Sequence, residues 1–294
     1  MIIVQLTGGL GNQMFQYAAA KALSIKKNTE LLLDVSSFLR TELPDLEVPR
    51  DFELIHFKGV SEKVVNINEL KNQKKFEFLE EKKLKKLLPK HKRGIYREKF
   101  YHFDDQFFNA NSSSYLIGIW QSPRYFELFK NIITQNFQIK ESSIQNVLKK
   151  GLELSKSNSV SIHIRRGDYL RKPIILDWHG IMSKEYYLKA FETLSSKTTI
   201  DKVYYFSDEP EWVESELLPY IPGEIISNQI ATSQYEDFYL MNQCQNNIIA
   251  NSSFSWWAAY LNPNPNKIVI APKKWFNSAP NNTKDLFPPD WITI

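Results

Sequence analysis

The chain has 294 residues, 43% hydrophobic and 24% charged, a balance that belongs to a folded globular protein and excludes a disordered one. A formal charge of +4, concentrated in one segment, makes no case for nucleic-acid binding. The single cysteine, Cys244, excludes an intrachain disulfide framework, suits a reducing compartment, and with five scattered histidines leaves no recognisable metal-ligand spacing.

The opening reads strand, glycine turn, helix: IIVQL, then TGGLGN, then MFQYAAAKALSIKK. A second strand, ELLLDV, completes the start of a parallel βαβ unit. The first residues lack a basic region followed by an apolar run, and no stretch reaches the length of a membrane span, so a cytoplasmic protein is expected. Residues 71–93 are lysine-rich, and Phe76, Leu79, Leu84, Leu87 and Leu88 share one broad face if the segment is helical. A solvated surface helix is the first reading, and peripheral contact with an anionic inner membrane face is the second. SYLIGIW predicts a strand, Pro123 opens a helix, and NVLKKGLELSKSNS reads as a helix running into a polar linker. The domain boundary is expected there, giving domains 1–155 and 156–294.

The second half alternates regularly. Strands VSIHI, KVYYFSD, EIIS, NNIIA and KIVIAP are separated by helices SKEYYLKAFETLSS, PEWVESELL, YEDFYLMNQC and FSWWAAYLN. Alternation of this kind predicts a parallel, doubly wound sheet, and hence an α/β protein of two Rossmann-like halves with a cleft between them. Ser233 followed by Glu236 predicts a capping box on the third of these helices.

Four stretches carry candidate chemistry. In TGGLGNQ the glycines permit close backbone approach and the following helix N-terminus favours an anion, but neither a P-loop nor a dinucleotide fingerprint is present. In VSIHIRRGDYL, Val160, Ile162 and Ile164 point to one strand face, while His163, Arg165, Arg166 and Asp168 crowd its carboxyl end. Adjacent guanidiniums repel unless an anion lies between them. Asp168 is expected to answer one, and a phosphate is the natural partner for the other; the structural alternative is an Arg–Asp pair. In FSDEPEW, Asp208 reads as a helix cap or a ligand contact. In ANSSFSWW, Asn251, Ser252, Ser253 and Phe254 precede or open a helix and offer hydroxyls and N–H groups. If parallel strands align the last three clusters, they form a nucleotide-sized site at one sheet edge. There is no D-x-D to hold a divalent ion against a diphosphate, so arginine and helix dipoles are expected to neutralise it.

The ordered set GGLGNQMFQYAAAKAL, HIRRGDYL, YYFSDEPEWV and NSSFSWWAAYLN resembles glycosyltransferase family 11, the α-1,2-fucosyltransferases of bacterial surface glycans and animal blood-group synthesis. Regions 36–115 and 264–294 carry no matching motif. The resemblance implies a GT-B fold, with residues 1–155 on the acceptor side and 156–294 binding the donor. It implies GDP-β-L-fucose as donor and the 2-hydroxyl of a β-galactoside, in an oligosaccharide or lipid-linked glycan, as acceptor. Transfer would invert the anomeric centre, with no cofactor and no metal. Arg166 would bind the diphosphate and assist its departure, Arg165 and Asp168 would shape that loop, and His163 would contact the nucleotide. Ser252, Ser253 and Phe254 would line the donor site, with Asn251 and Asp208 nearby; the loop of Gly9, Gly11 and Asn12 would face it from the other domain. The general base stays open, with Asp177 and His179 as candidates. Another nucleotide sugar, or a glycan- or nucleotide-binding protein without transfer activity, remains the alternative.

Overall fold

The computed structural model describes every residue except 40–48, 71–72, 80–87, 100, 172 and 279–281. It divides into two compact units, Met1–Gln138 with Asn281–Pro288, and Ile139–Pro280 with Pro289–Ile294.

The first unit follows the predicted opening. Strand β1 (Ile2–Gln5) leads into α1 (Leu10–Lys26), and β2 (Leu31–Asp34) returns beside it. Then come β3 (Lys63–Val65), α2 (Ile67–Leu70), β4 (Ile95–Arg97), β5 (Ser114–Ile117) and α3 (Lys130–Asn136). The sheet order is β3-β2-β1-β5-β4, parallel throughout. At the exit of β2, Asp34 is fully buried, and both its oxygens accept hydrogen bonds, from Ser36, Ile67 N–H and the Tyr115 hydroxyl. The surface helix expected over residues 71–93 falls largely outside the described residues. At its described ends the chain makes 3-10 turns over Lys74–Leu79 and Lys90–Lys92. Phe76 is buried with Ile3, Leu32 and Tyr115, so the segment begins against the sheet rather than in solvent. Among the described residues no helix is long and apolar enough to cross a membrane.

The second unit contains α4 (Leu148–Lys156), β6 (Ser159–Ile164), α5 (Gly167–Arg171), α6 (Pro173–His179) and α7 (Lys184–Ser195). It continues with β7 (Lys202–Ser207), α8 (Pro210–Glu216), β8 (Glu224–Ile225), α9 (Gln234–Gln243) and β9 (Asn246–Ile248). Helix α10 (Ser253–Tyr260), β10 (Val269–Ala271) and β11 (Ile292–Thr293) complete it. The order β11-β10-β9-β6-β7-β8 is the doubly wound order in which the chain starts in the middle and winds outward both ways. Its reversal lies between β6 and β9, where such folds hold ligands. Strand β11, drawn from the stretch after residue 264, was not among the predicted strands; it pairs with β10 after the chain's visit to the first unit over Asn281–Pro288.

The unit boundary lies at residues 138/139 and not at 155. Helix α4, read as the end of the first half, docks on α9, and a Cβ at Gly151 would lie 2.5 Å from the Tyr239 ring. Leu154 beneath it is fully buried. On β6, Val160, Ile162 and Ile164 join the apolar core as expected, but the opposite face is buried too. There Asn247 donates to Ser161 Oγ at 2.7 Å and accepts from Asn262 at 2.8 Å. A central strand of a parallel sheet has no solvent face, so its polar side chains find partners in one another.

Ser233 caps α9 by accepting from Glu236 N–H at 3.3 Å. Glu236 does not return the bond to Ser233. Its carboxylate takes Thr232 N–H at 2.7 Å and the Thr232 hydroxyl at 3.0 Å, so the box closes one residue early. Ser233→Ala is expected to lower stability by about 1 kcal/mol, read as a shift in the urea midpoint at unchanged slope.

Candidate active site

Because β7 and β9 both pair in parallel with β6, the three polar clusters after residues 164, 206 and 250 leave the sheet at the same edge. The topology thus brings HIRRGD, FSDEPEW and NSSFS together.

Each arginine meets a carboxylate of the motif after β7. Arg165 Nη1 lies 3.1 Å from Asp208 Oδ2, and Arg166 Nε lies 3.0 Å from Glu209 Oε2. These two carboxylates come from the neighbouring strand end; Asp168 is the second residue of α5, and its side chain lies outside those described. Asp208 is also not a cap: its Oδ1 accepts the backbone N–H of Arg166 at 2.9 Å, so one carboxylate fixes both the loop and one guanidinium. Gly167 suits this packing, since a Cβ there would stand 3.1 Å from Asp208 Oδ2. Its lack of a side chain admits a carboxylate at the start of a helix.

Arg166 is the more buried of the two guanidiniums, 15% exposed against 26%. Trp212 of α8 covers it, with Cζ 4.3 Å from the indole centroid. Its Nε is committed to Glu209; among the described residues its terminal nitrogens have no partner. Two arginines and two carboxylates sum to zero charge, so an anion here is met by aimed donors rather than by excess positive charge.

Behind the arginines a hydrogen-bonded relay runs through the ends of β7 and β8. Glu209 N–H donates to Ser207 Oγ at 2.9 Å, Ser207 N–H to Ser227 Oγ at 3.0 Å, and the Ser227 hydroxyl to Asp237 Oδ2 at 2.9 Å. The other carboxylate oxygen of Asp237, Oδ1, is buried with no partner. Burial pushes this carboxyl up to about 7. Next to it Phe238 packs edge-on against Phe254 at 5.5 Å, and Phe254 faces the His163 ring at 5.7 Å. His163 is buried, its Nδ1 has no partner, and desolvation, aided by Arg165, holds it neutral with a pKa near 3. Neither Asp237 nor Glu209 was singled out in the sequence. Glu209 had a signal, since two acids follow β7 as two arginines follow β6. Asp237 had none, being one polar residue on a helix.

Ser252 is the N-cap of α10 without a side-chain cap bond, and the first-turn amides of a helix have no intrahelical partner. Phe254 is in that turn. Asn251 Nδ2 donates to the carbonyls of His179, Gly180 and Trp275 at 2.8, 3.3 and 3.3 Å, and its Oδ1 is buried with no partner among the described residues. His179 stacks on Tyr169 at 4.8 Å and 15°, and Arg165 sits 5.8 Å from the same ring. Asp177 is exposed on α6.

The glycine loop belongs to the first unit. Gly8 has φ +72, which demands glycine, while Gly9 is the extended N-cap of α1 and Gly11 is buried within that helix. Gln13 ties the loop down by donating to Gly8 O and Asp51 O, both at 2.8 Å, and Gln16 holds Thr7. Asn12 Oδ1 accepts from Gln121 at 3.0 Å. The glutamines of NQMFQ thus shape the turn from within the unit.

Comparison with known proteins places this arrangement. The model of the family described as Glycosyl transferase family 11 matches residues 1–294. The O-antigen biosynthesis glycosyltransferase WbnK of Escherichia coli is 32% identical over 98% of this chain and 99% of its own length. An alpha-1,2-colitosyltransferase of Escherichia coli is 31% identical over 100% and 99%. Among solved structures, the fucosyltransferase NodZ from Bradyrhizobium superposes with a TM-score of 0.54 over 89% of this chain and 93% of its own, at 13% identity. That likeness is one of fold, and the fold is GT-B.

A carboxyl whose folded pKa lies above its unfolded value binds protons more tightly when folded, so stability is lost as pH rises. For Asp237 the loss falls between its ordinary value of 3.8 and about 7. Asp237→Asn keeps a neutral side chain at every pH. Thermal melts of the variant are expected to gain on the wild type across that window and to run parallel to it above.

Proposed function

The chain belongs to glycosyltransferase family 11, and we propose that it moves L-fucose from GDP-β-L-fucose to the 2-hydroxyl of a galactoside in surface-glycan synthesis. One observation carries the reading: a guanidinium at the switch point of a doubly wound sheet, anchored through Nε, with its terminal nitrogens uncommitted among the described residues. Such a fork matches adjacent oxygens of a diphosphate. The relatives' names support the pathway and the linkage, one as an O-antigen transferase and one as an α-1,2 transferase.

In this reading the donor lies along the carboxyl edge of the second sheet. Arg166 and the first turn of α10 receive the diphosphate. As the fucose C1–O bond breaks, negative charge grows on the departing β-phosphate, and these donors stabilise it more in the transition state than before. They do so without a divalent ion. The acceptor oxygen bonds to C1 from the opposite face, inverting the centre and releasing GDP and one proton. Asp177, exposed on α6, is the better placed of the two base candidates, since the His179 ring is stacked between Tyr169 and Phe276.

Asp237 supplies base selectivity. Guanine presents two donors, N1–H and the exocyclic amine, and a carboxylate with an unpartnered oxygen is suited to accept them. Adenine and uracil do not offer that pair. Since the free carboxyl titrates near 7 and the ionised form accepts, GDP affinity is expected to rise with pH up to about 7 and then level off. Calorimetric titrations with GDP, ADP and UDP at several pH values would show it. Equal affinity for the three would remove the assignment.

A second reading changes only the sugar. Identity to the colitosyltransferase is 31% against 32% to WbnK, so GDP-colitose, whose sugar lacks the 3-hydroxyl of fucose, is an equal candidate by likeness. GDP release with a β-galactoside acceptor, measured with each donor and with and without chelator, separates the cases. Acceptor-dependent release from GDP-fucose that survives chelation is expected. Arg166→Ala is expected to slow it by about a thousandfold or more, the scale of removing an aimed charge-stabilising donor.

A further inference from the structure

Arg166 is gripped on two sides, by Glu209 and by Trp212. Glu209 holds Nε at 3.0 Å, and Trp212, three residues on, lies flat enough under the guanidinium for a 4.3 Å cation–π contact. Both come from the turn after β7 and the first turn of α8. That turn is itself pinned, since Glu209 N–H is bonded to Ser207 Oγ at 2.9 Å.

A free arginine samples many rotamers and presents five N–H donors in any direction. Fixing Nε and one face removes that freedom and leaves a single edge, the terminal nitrogens, for a ligand. An anion so close to the guanidinium also carries a cost, because it repels an incoming diphosphate. Placing a carboxylate there makes physical sense if its gain is orientation and not affinity. From this geometry, and resting on the donor reading above, we propose that Glu209 and Trp212 are positioning residues that aim the terminal nitrogens of Arg166 at the leaving diphosphate.

The proposal separates kcat from KM. Glu209→Ala is expected to lower kcat by about tenfold to a hundredfold, the scale of a misaimed group, with the KM for the donor changing less than about threefold. Glu209→Gln keeps an acceptor oxygen at the same reach and is expected to recover most of the loss. Trp212→Leu, which leaves the carboxylate in place, is expected to lower kcat in the same manner. In an Arg166→Lys background, which has no Nε to hold, Glu209→Ala is expected to add almost nothing, because residues acting through one group are not additive.

Single-turnover rates and donor KM on the three variants and the Arg166→Lys pair, each checked by thermal melt, decide the matter. A drop from Glu209→Ala of equal size in both backgrounds overturns the proposal, as Glu209 then acts elsewhere. Tighter donor binding with undiminished kcat in Glu209→Ala overturns it too, making the carboxylate a competitor for the site. If the wild type neither binds GDP nor releases it from a GDP-sugar, the donor reading fails and takes this inference with it; that failure shows before any substitution is made.

Discussion

Two guanidiniums on consecutive residues at a strand end need two counter-charges, and much of the second unit is arranged to bring them. Arg165 and Arg166 leave β6; Asp208 and Glu209 leave β7; the strands pair in parallel from Ser159↔Lys202 to Ile164↔Ser207. In that register the two motifs are adjacent by construction. Asp208 answers Arg165 and the Arg166 amide together, and Glu209 answers the Arg166 side chain. Moving β7 by one residue would break every one of these bonds and turn its alternate side chains to the wrong face.

Within these two ion pairs the charges balance, and what Arg166 offers beyond them is the direction of its terminal nitrogens. The groups that line the rest of the edge keep the same economy. His163 is held uncharged beside Arg165, and Asp237 has its carboxyl raised to about 7 because burial disfavours the charged form. A guanine base is one of few ligands that can use a buried carboxylate and leave the cationic fork for phosphate.

Strand β6 shows why the sequence was readable where it was. Val160, Ile162 and Ile164 gave the alternation of a strand, and Gly and Pro marked most of the turns, so the β-α alternation of the second half was visible throughout. Helix α4 shows where it was not. The polar run SKSNS after it looked like a linker, but Gly151 and Leu154 pack against the second unit, and α4 belongs there. The excursion of Asn281–Pro288 into the first unit, and the swap that puts β5 between β1 and β4, left no local mark. Both are contacts between residues far apart in the chain, which periodicity does not encode.

By itself the sequence determined most strands of the second sheet, the opening βαβ unit of the first, the family, and the three polar clusters at the edge of the second sheet, since local pattern and ordered motifs suffice for these. Only the tertiary structure decided that Asp208 and Glu209 meet Arg165 and Arg166, that the Asn251 amide nitrogen is bonded to carbonyls, and that Asp237 lies in the same relay as Glu209. The physical reason is the same in each case. A charge or a hydrogen bond is satisfied by whichever partner the fold brings within about 3 Å, and distance along the chain carries no information about that.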